Sequence, residues 1–394
     1  MDKNRIPLVI IFSVVFIDLL GFGLLIPILP TFAMDVLHLN ESSVGILLAV
    51  YSLLQFIFNP ILGSASDIFG RKNIIIITLL LNAIGYLLFA FTDSFLLLII
   101  SRIICGIGGS SIGVAQAYIA DITTPSDRSK GMGLIGVAFG MGFVFGPLIG
   151  GFLAEISYSL VGYGSMGFSL VAAIFSLFYL PDSIIRKEKG GKFRLFDTVS
   201  LRVVMSTPAI FIVIMLFFMI TFSIANIYGT FALLGTYIYK FSHAENGMVF
   251  GVLGFVGALV QGGLIGRLSR RYSDLNLIIS GAVFMFVGLL LIPYGGNMAG
   301  ILIITAIFSL GTGILQPVLM ALVSKVAPGD KQGSILGLNQ SFSAFARMLG
   351  PLWGGFSFQY MGYQFPFLTG AIFTLLSILV SVLFLKKHVN FNNN

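Results

Sequence analysis

Long apolar runs, each closed by a short polar stretch, recur twelve times along the chain. They fall at about 7–32, 44–62, 74–92, 95–120, 131–154 and 161–180, then at 208–234, 247–266, 275–294, 297–324, 334–357 and 364–385. A helix needs about 20 apolar residues to cross the hydrocarbon core of a bilayer. In lipid the backbone must satisfy its own hydrogen bonds, so runs of this length are expected as helices. The pattern predicts an all-α integral membrane protein with twelve transmembrane helices. The longest polar stretch, Pro181 to about Ser206, separates two six-helix bundles at 1–181 and 207–394, with 182–206 as a linker.

Composition agrees with that pattern. Hydrophobic residues form 57% of the 394 and charged residues only 9%, with a mean hydropathy of +1.03. A soluble domain carries roughly 25% charged residues. The net charge of +7 raises the question of nucleic acid, but the placement of the charges answers it. With the N-terminus inside, inner segments hold 19 of the 22 Lys and Arg, from Lys3 and Arg5 to Lys386 and Lys387; only Lys240 falls outside, and Arg102 and Arg347 lie within spans. This is a positive-inside distribution. It predicts cytoplasmic termini, a multi-pass protein of the cell inner (cytoplasmic) membrane, and no nucleic-acid partner.

The halves repeat. Gly146-Pro147-Leu148-Ile149-Gly150-Gly151 returns as Gly350-Pro351-Leu352-Trp353-Gly354-Gly355, and Pro125-Ser126-Asp127-Arg128 as Pro328-Gly329-Asp330-Lys331, at offsets of 204 and 203. Parallel repeats around a midplane site are a common plan of secondary transporters, in which two halves rock to give alternating access.

Enzymatic chemistry finds no support. Gly109-Ser110-Ser111-Ile112-Gly113 matches a nucleophile-elbow pattern, but that motif needs a strand-to-helix turn with His and acid partners. Here it sits in an apolar helix, while His38, His243 and His388 are expected in loops or tails. No phosphate-binding loop or metal-ligand cluster is present, so no cofactor is expected. The single cysteine, Cys105, cannot form an internal disulfide.

The polar residues inside the spans carry the candidate chemistry. Asp18 is the one carboxylate near mid-membrane, and an acid there is costly when ionised and takes a proton readily. It reads as a proton carrier or as an acid permanently paired for packing. Arg102 is a candidate partner, although helical rises of about 1.5 Å per residue put Asp18 about 16 Å and Arg102 about 27 Å from the inner face. The stretch Gly63 to Lys72, with Arg71 among its candidate residues, reads as a loop in which Gly63 and Gly70 permit a tight turn and Asp67 meets the N-terminus of a neighbouring helix or a basic partner. It is either a conformational latch or a charged turn that anchors topology. In the fifth span Gly136, Gly140, Gly146, Gly150 and Gly151 form a smooth strip for close helix approach, and Pro147 invites a kink. Arg347 is either an anion-binding group for substrate or is satisfied by helix carbonyls. Tyr51, Gln55, Asn59, Gln116, Asn226, Tyr228, Gln261, Gln316 and Asn339 complete the polar groups expected to line a substrate cavity, set among 39 phenylalanines.

Gly63-Ser64-Ala65-Ser66-Asp67-Ile68-Phe69-Gly70-Arg71-Lys72 resembles the signature of the major facilitator superfamily. The Arg102 segment resembles that family's arginine motif, in which the cation is linked to proton transfer. The Gly136 to Gly151 string resembles the motif that marks its antiporters. The likeness is nearest to the twelve-helix drug:proton antiporters and, among them, tetracycline exporters. It covers most of the first half and thins in the second, where Arg270 stands at the Asp67 position, so any latch is expected in the first half alone. Gram-negative tetracycline exporters carry an acid at Gly85, a His near Gly257 and an acid in the ninth span, all absent here. The resemblance implies a monomeric, proton-coupled exporter of amphipathic small molecules, tetracycline-like drugs included. An exporter of an anionic metabolite such as a siderophore, or a lipid flippase, is the alternative.

Overall fold

The computed structural model describes residues 5–123, 128–182, 198–328, 332–385 and 387. The Pro125–Asp127 repeat segment, Gly329–Lys331 and most of the 182–206 linker lie outside them. Among the described residues the chain is helical and no strand occurs. In the first half the helices are α1 (Arg5–Leu25), α2 (Ile28–Asp35), α3 (Glu41–Phe69), α4 (Arg71–Ala90), α5 (Phe95–Gly108), α6 (Ser111–Ile122), α7 (Arg128–Ile156) and α8 (Tyr158–Tyr179). After the short α9 (Thr198–Ser206) come α10 (Pro208–Leu233), α11 (His243–Leu259), α12 (Ile265–Arg271), α13 (Asp274–Leu291), α14 (Met298–Val326), α15 (Gln332–Tyr360) and α16 (Phe365–Val380).

Two expected spans are each built from two helices, because the chain breaks at Ile26–Pro27 and at Gly109–Ser110. Proline has no N–H to continue the ladder, whereas α3, α7, α14 and α15 run through Pro60, Pro147, Pro317 and Pro351. Among the described residues, eleven helical segments are long and apolar enough to cross a membrane. The eleventh expected span, α15, is 29 residues long but falls short in apolarity. Asn339, Gln340, Ser341, Ser343 and Arg347 interrupt its hydrophobic run.

The chain forms two compact units: residues 1–40, 50–195 and 241–251, and residues 41–49, 196–240 and 252–394. The sequence repeat is carried into packing. In the first unit α1 packs on α7 and α8, and α4 on α5 and α8; in the second α10 packs on α15 and α16, and α13 on α14 and α16.

Glycines set the closest approaches. A Cβ on Gly146 would lie 2.6 Å from the Gly23 Cα, and one on Gly142 would lie 2.7 Å from the Leu19 Cβ. Gly150 abuts the Leu24 carbonyl, so one strip of α7 lies backbone to backbone on α1. The other edge of α7 receives the start of α11, where Gly247 faces the Pro147 carbonyl and Gly151 faces that of His243. The second unit repeats this arrangement, with Gly45 of α3 on the Pro351 carbonyl and Gly355 on that of Glu41. Side chains repeat it as well. The Ala244 N–H donates to Glu155 Oε1 (3.0 Å), and the Ser42 N–H to Gln359 Oε1 (3.2 Å). His243, expected in a loop, is the first residue of α11, with Nε2 2.9 Å from the Tyr158 hydroxyl, which donates to Asp35.

The strip is not uniform, since a Cβ on Gly136 meets nothing within 4 Å. Gly146→Ala is therefore expected to lower the thermal unfolding midpoint of the purified protein by roughly 5 °C or more, the scale of overpacking. Gly136→Ala is expected to leave it within about 1 °C, as open surface sites do.

Candidate functional site

Asp18 is 6% exposed and enclosed by small polar groups from three other helices. Asn82 of α4 donates through Nδ2 to its Oδ1 (3.0 Å), and Ser111 of α6 through Oγ to its Oδ2 (2.9 Å). Ser169 of α8 is fully buried beside them. Glycine allows the helices to come this close, since a Cβ on Gly21 would lie 3.0 Å from the Ser165 carbonyl of α8.

Arg102 is buried nearby, but no ion pair joins it to Asp18 among the described residues. Its guanidinium donates to Ser101 Oγ (2.9 Å) and Cys105 Sγ (3.7 Å) and lies over the Phe89 ring at 5.9 Å. Ser101 Oγ in turn donates to the Gly85 carbonyl (2.7 Å). The expected partnership is thus replaced by two neighbouring polar clusters that share α4. Gly85 lies against Cys105, and a Cβ there would come 3.1 Å from the Ser101 carbonyl. An acid at that position has no room in this chain.

Tyr51, Gln55 and Asn59 lie on one face of α3, four residues apart, and follow the seam of α5 and α6. Tyr51 backs Gly106 and Gly109, Gln55 Nε2 donates to the Gly109 carbonyl (2.8 Å), and Asn59 Oδ1 lies 3.7 Å from a Cβ placed on Gly113. The Phe22 ring of α1 stacks on Tyr51 at 5.4 Å. Gln116 is half-buried, one turn beyond Gly113. This face joins amide groups to aromatic surface, the pairing that an amphipathic ligand needs.

The second unit departs from expectation at two positions. Asn226 is fully buried and donates to the Pro366 carbonyl (2.5 Å), which ties α10 to α16. Asn339 is fully buried with Nδ2 3.8 Å from the Met320 sulfur, against α14. Each amide nitrogen contacts a neighbouring helix, while each Oδ1 is buried with no hydrogen-bond partner among the described residues. Gln261, within a π-helical turn at 260–264, and Gln316 are exposed. Tyr228 and Arg347 are half-buried on α10 and α15, within electrostatic range of each other.

At the far end of α3 the expected ten-residue loop is absent. The helix runs on to Phe69, so Gly63 and Asp67 are helical and only Gly70, at φ +93°, separates α3 from α4. Arg71 gathers the end of the helix: it pairs with Asp67, and its Nη1 donates to the Gly63 carbonyl (3.3 Å) and to Ser66 Oγ. Through Nε it also bonds Asp121 of α6 (3.0 Å). The second unit answers with Lys325 on Asp274 (2.7 Å). Asp274 and Lys325 sit 203 and 204 residues after Arg71 and Asp121, so the pair repeats with its charges exchanged. An interhelical ion pair of this kind is thus present in both units.

The description of the Major Facilitator Superfamily matches residues 11–351. The chain belongs to this superfamily. It is 33% identical over 379 residues to Multidrug resistance protein 1 of Bacillus subtilis, covering 94% of each chain. To the class C tetracycline resistance protein of Escherichia coli it is 30% identical over 362 residues, 89% of each. It is 29% identical over 360 residues to the quinolone resistance protein NorA of Staphylococcus aureus, again over 89% of each. Among solved structures, a bacterial homologue of the lysosomal transporter Spinster shares the fold with a TM-score of 0.78 at 14% identity, over 99% of both chains. The human organic anion transporter MFSD10 does so at 0.72 and 23%, covering 97% of this chain and 100% of that one. The protein is a multi-span membrane transporter of the superfamily, and not an enzyme.

Within that family frame, sequence reasoning missed Asp121, Asp274 and Lys325, although the offset of about 204 applied to charged residues would have found them. Because the two ionic contacts are mirror images in charge, reversal is the informative test. Arg71→Asp and Asp121→Arg singly are expected to lower the thermal midpoint by a few degrees, the scale of about 1 kcal/mol for a partly exposed pair. The double reversal is expected to restore most of the loss in a double-mutant cycle.

Proposed function

We propose that the protein exports amphipathic small molecules, tetracycline-like drugs included, in exchange for protons by alternating access. The observation that carries this reading is Asp18, a buried carboxylate in the middle of α1 whose partners are all neutral. A carboxylate fixed for packing is expected to sit against a base. One held only by hydroxyl and amide groups can gain and lose a proton without breaking an ion pair. The resistance proteins named above are supporting relatives. The Tyr51–Gln55–Asn59 face with Phe22 supplies aromatic and amide surface in the same unit. One proton entering down 100 mV supplies about 2.3 kcal/mol, enough for roughly fiftyfold accumulation. The basic loops favour cytoplasmic termini in a bacterial cell membrane, and therefore outward export.

Arg347 favours a second reading of the substrate, as a carboxylate-bearing or otherwise anionic compound. It stands half-buried in the most polar of the long helices, with the Tyr228 hydroxyl in electrostatic range.

A panel of drugs added to everted vesicles with a preformed inward-acid pH gradient tests both readings. Tetracycline, a quinolone or a cationic dye is expected to release the gradient in the wild type and not in Asp18→Asn. A null response to every compound, or a full response in Asp18→Asn, contradicts the exchange mechanism. Arg347→Ala is expected to weaken responses to anionic compounds about tenfold, the value of about 1.4 kcal/mol, and to spare cationic ones. An equal loss for both classes contradicts the anion anchor.

A further inference from the structure

The amide of Asn82 is left in a lopsided state. Its Nδ2 donates to Asp18 Oδ1, while its Oδ1 is buried and accepts no hydrogen bond among the described residues. A buried acceptor without a partner is costly, and Asn226, Asn246 and Asn339 carry the same orphan, but only that of Asn82 belongs to an amide bonded to a carboxylate. The orphan stands beside a group expected to change protonation state. An ionised carboxylate only accepts hydrogen bonds, whereas a protonated one must donate its O–H. Ser111 can answer either state by rotating its hydroxyl. A carboxamide can answer too, because a half-turn about its terminal bond exchanges a donor for an acceptor.

We infer that Asn82 is the positioning residue for the proton on Asp18, presenting Nδ2 to the carboxylate and Oδ1 to the carboxylic acid. This rests on the reading of Asp18 as the proton-carrying group. The surroundings suit such a turn. Asn82 Oδ1 lies against Gly108 of α5, where a Cβ would collide with it and where the Thr78 carbonyl is also close. Glycine at 108 leaves the amide the room that any other residue would fill.

Asn82 also connects the acid to the arginine cluster. Its main-chain carbonyl is 4.0 Å from Cys105 Sγ, which lies 3.7 Å from the Arg102 guanidinium. The titratable groups within electrostatic range of Asp18 are Tyr86 from α4 and Cys105 from α5, and Arg102 lies within range of those two; α6 and α8 present Ser111 and Ser169. The proton arrives from solvent and leaves to it, and no other bond is made or broken.

The direction of the effect follows from the donor count. Without the Nδ2 donor the ionised form loses a stabilising bond, so the proton is held to a higher pH. The test is an infrared pH titration of the purified full-length protein, following the protonated-carboxyl C=O band that Asp18→Asn removes. In Asn82→Ala the midpoint of that band is expected to rise by about one pH unit, the equivalent of one charge-assisted hydrogen bond. In Asn82→Asp, which keeps the side-chain shape against Gly108 and so guards against a folding artefact, a second acid shares the site. The midpoint is expected to rise further. A purely structural role for Asn82 leaves the midpoint unmoved. If the Asp18 band titrates as in the wild type in both variants, the inference is overturned while the reading of Asp18 stands. If Asp18→Asn removes no titrating band, the reading of Asp18 is itself overturned.

Discussion

Direct backbone contact between α1 and α7 is the constraint on which the rest depends. Lipid gives helices little reason to associate, so packing must come from surfaces smooth enough for close approach. Here Gly23 and Gly146 supply that contact, with Gly142 on Leu19 and Gly150 on Leu24 at either side. Asp18 is the residue before Leu19, so the glycine strip fixes its depth and rotation within the unit. From there Gly21 against Ser165 brings in α8, and Gly108 against Asn82 ties α4 to α5. A polar shell of small side chains is then within hydrogen-bond range of the buried Asp18.

The repeat shows which features are scaffold and which are specialised. Helix pairing is the same in both units. Glycine contacts at Pro147 and Pro351 repeat, and so do the side-chain bonds from Glu155 and Gln359 to the starts of α11 and α3. Three departures break the equivalence. Glu155 is ionisable where Gln359 is not, the Arg71–Asp121 pair returns as Asp274–Lys325 with its signs exchanged, and among the described residues Asp18 has no buried carboxylate counterpart. In their place the second unit carries Arg347. Duplicated packing with divided chemistry suits a transporter that handles its proton in one unit and part of its substrate in the other.

Much of this was legible in the chain itself. Apolar runs located the helices because length and hydropathy suffice in lipid, and the offset of 204 exposed the repeat. Asp18 stood out because a carboxylate in such a run has few reasons to be there. Its shell did not, since Asn82, Ser111 and Ser169 are single polar residues in helices that carry many others. Only three-dimensional proximity separates them from Asn226 and Asn339, which look equally suited to a cavity and instead hold helices together. Gly63 misled for a related reason: two glycines around an acid read as a turn, yet seven further residues satisfy the α3 ladder as far as Phe69. The α15 run is the least apolar of the long helices because it carries polar residues, of which Asn339 and Ser343 are buried within the protein, a placement that hydropathy alone does not register.

In the proposed exchange, substrate binding and protonation of Asp18 exclude one another. The most direct measurement is the number of protons released when a transported drug binds to the purified protein in weakly buffered detergent solution, below the pH at which Asp18 is fully ionised. Stoichiometric release by the wild type, absent in Asp18→Asn that still binds the drug, is the expected result. Equal release by both, or binding with no release at any pH, would contradict it.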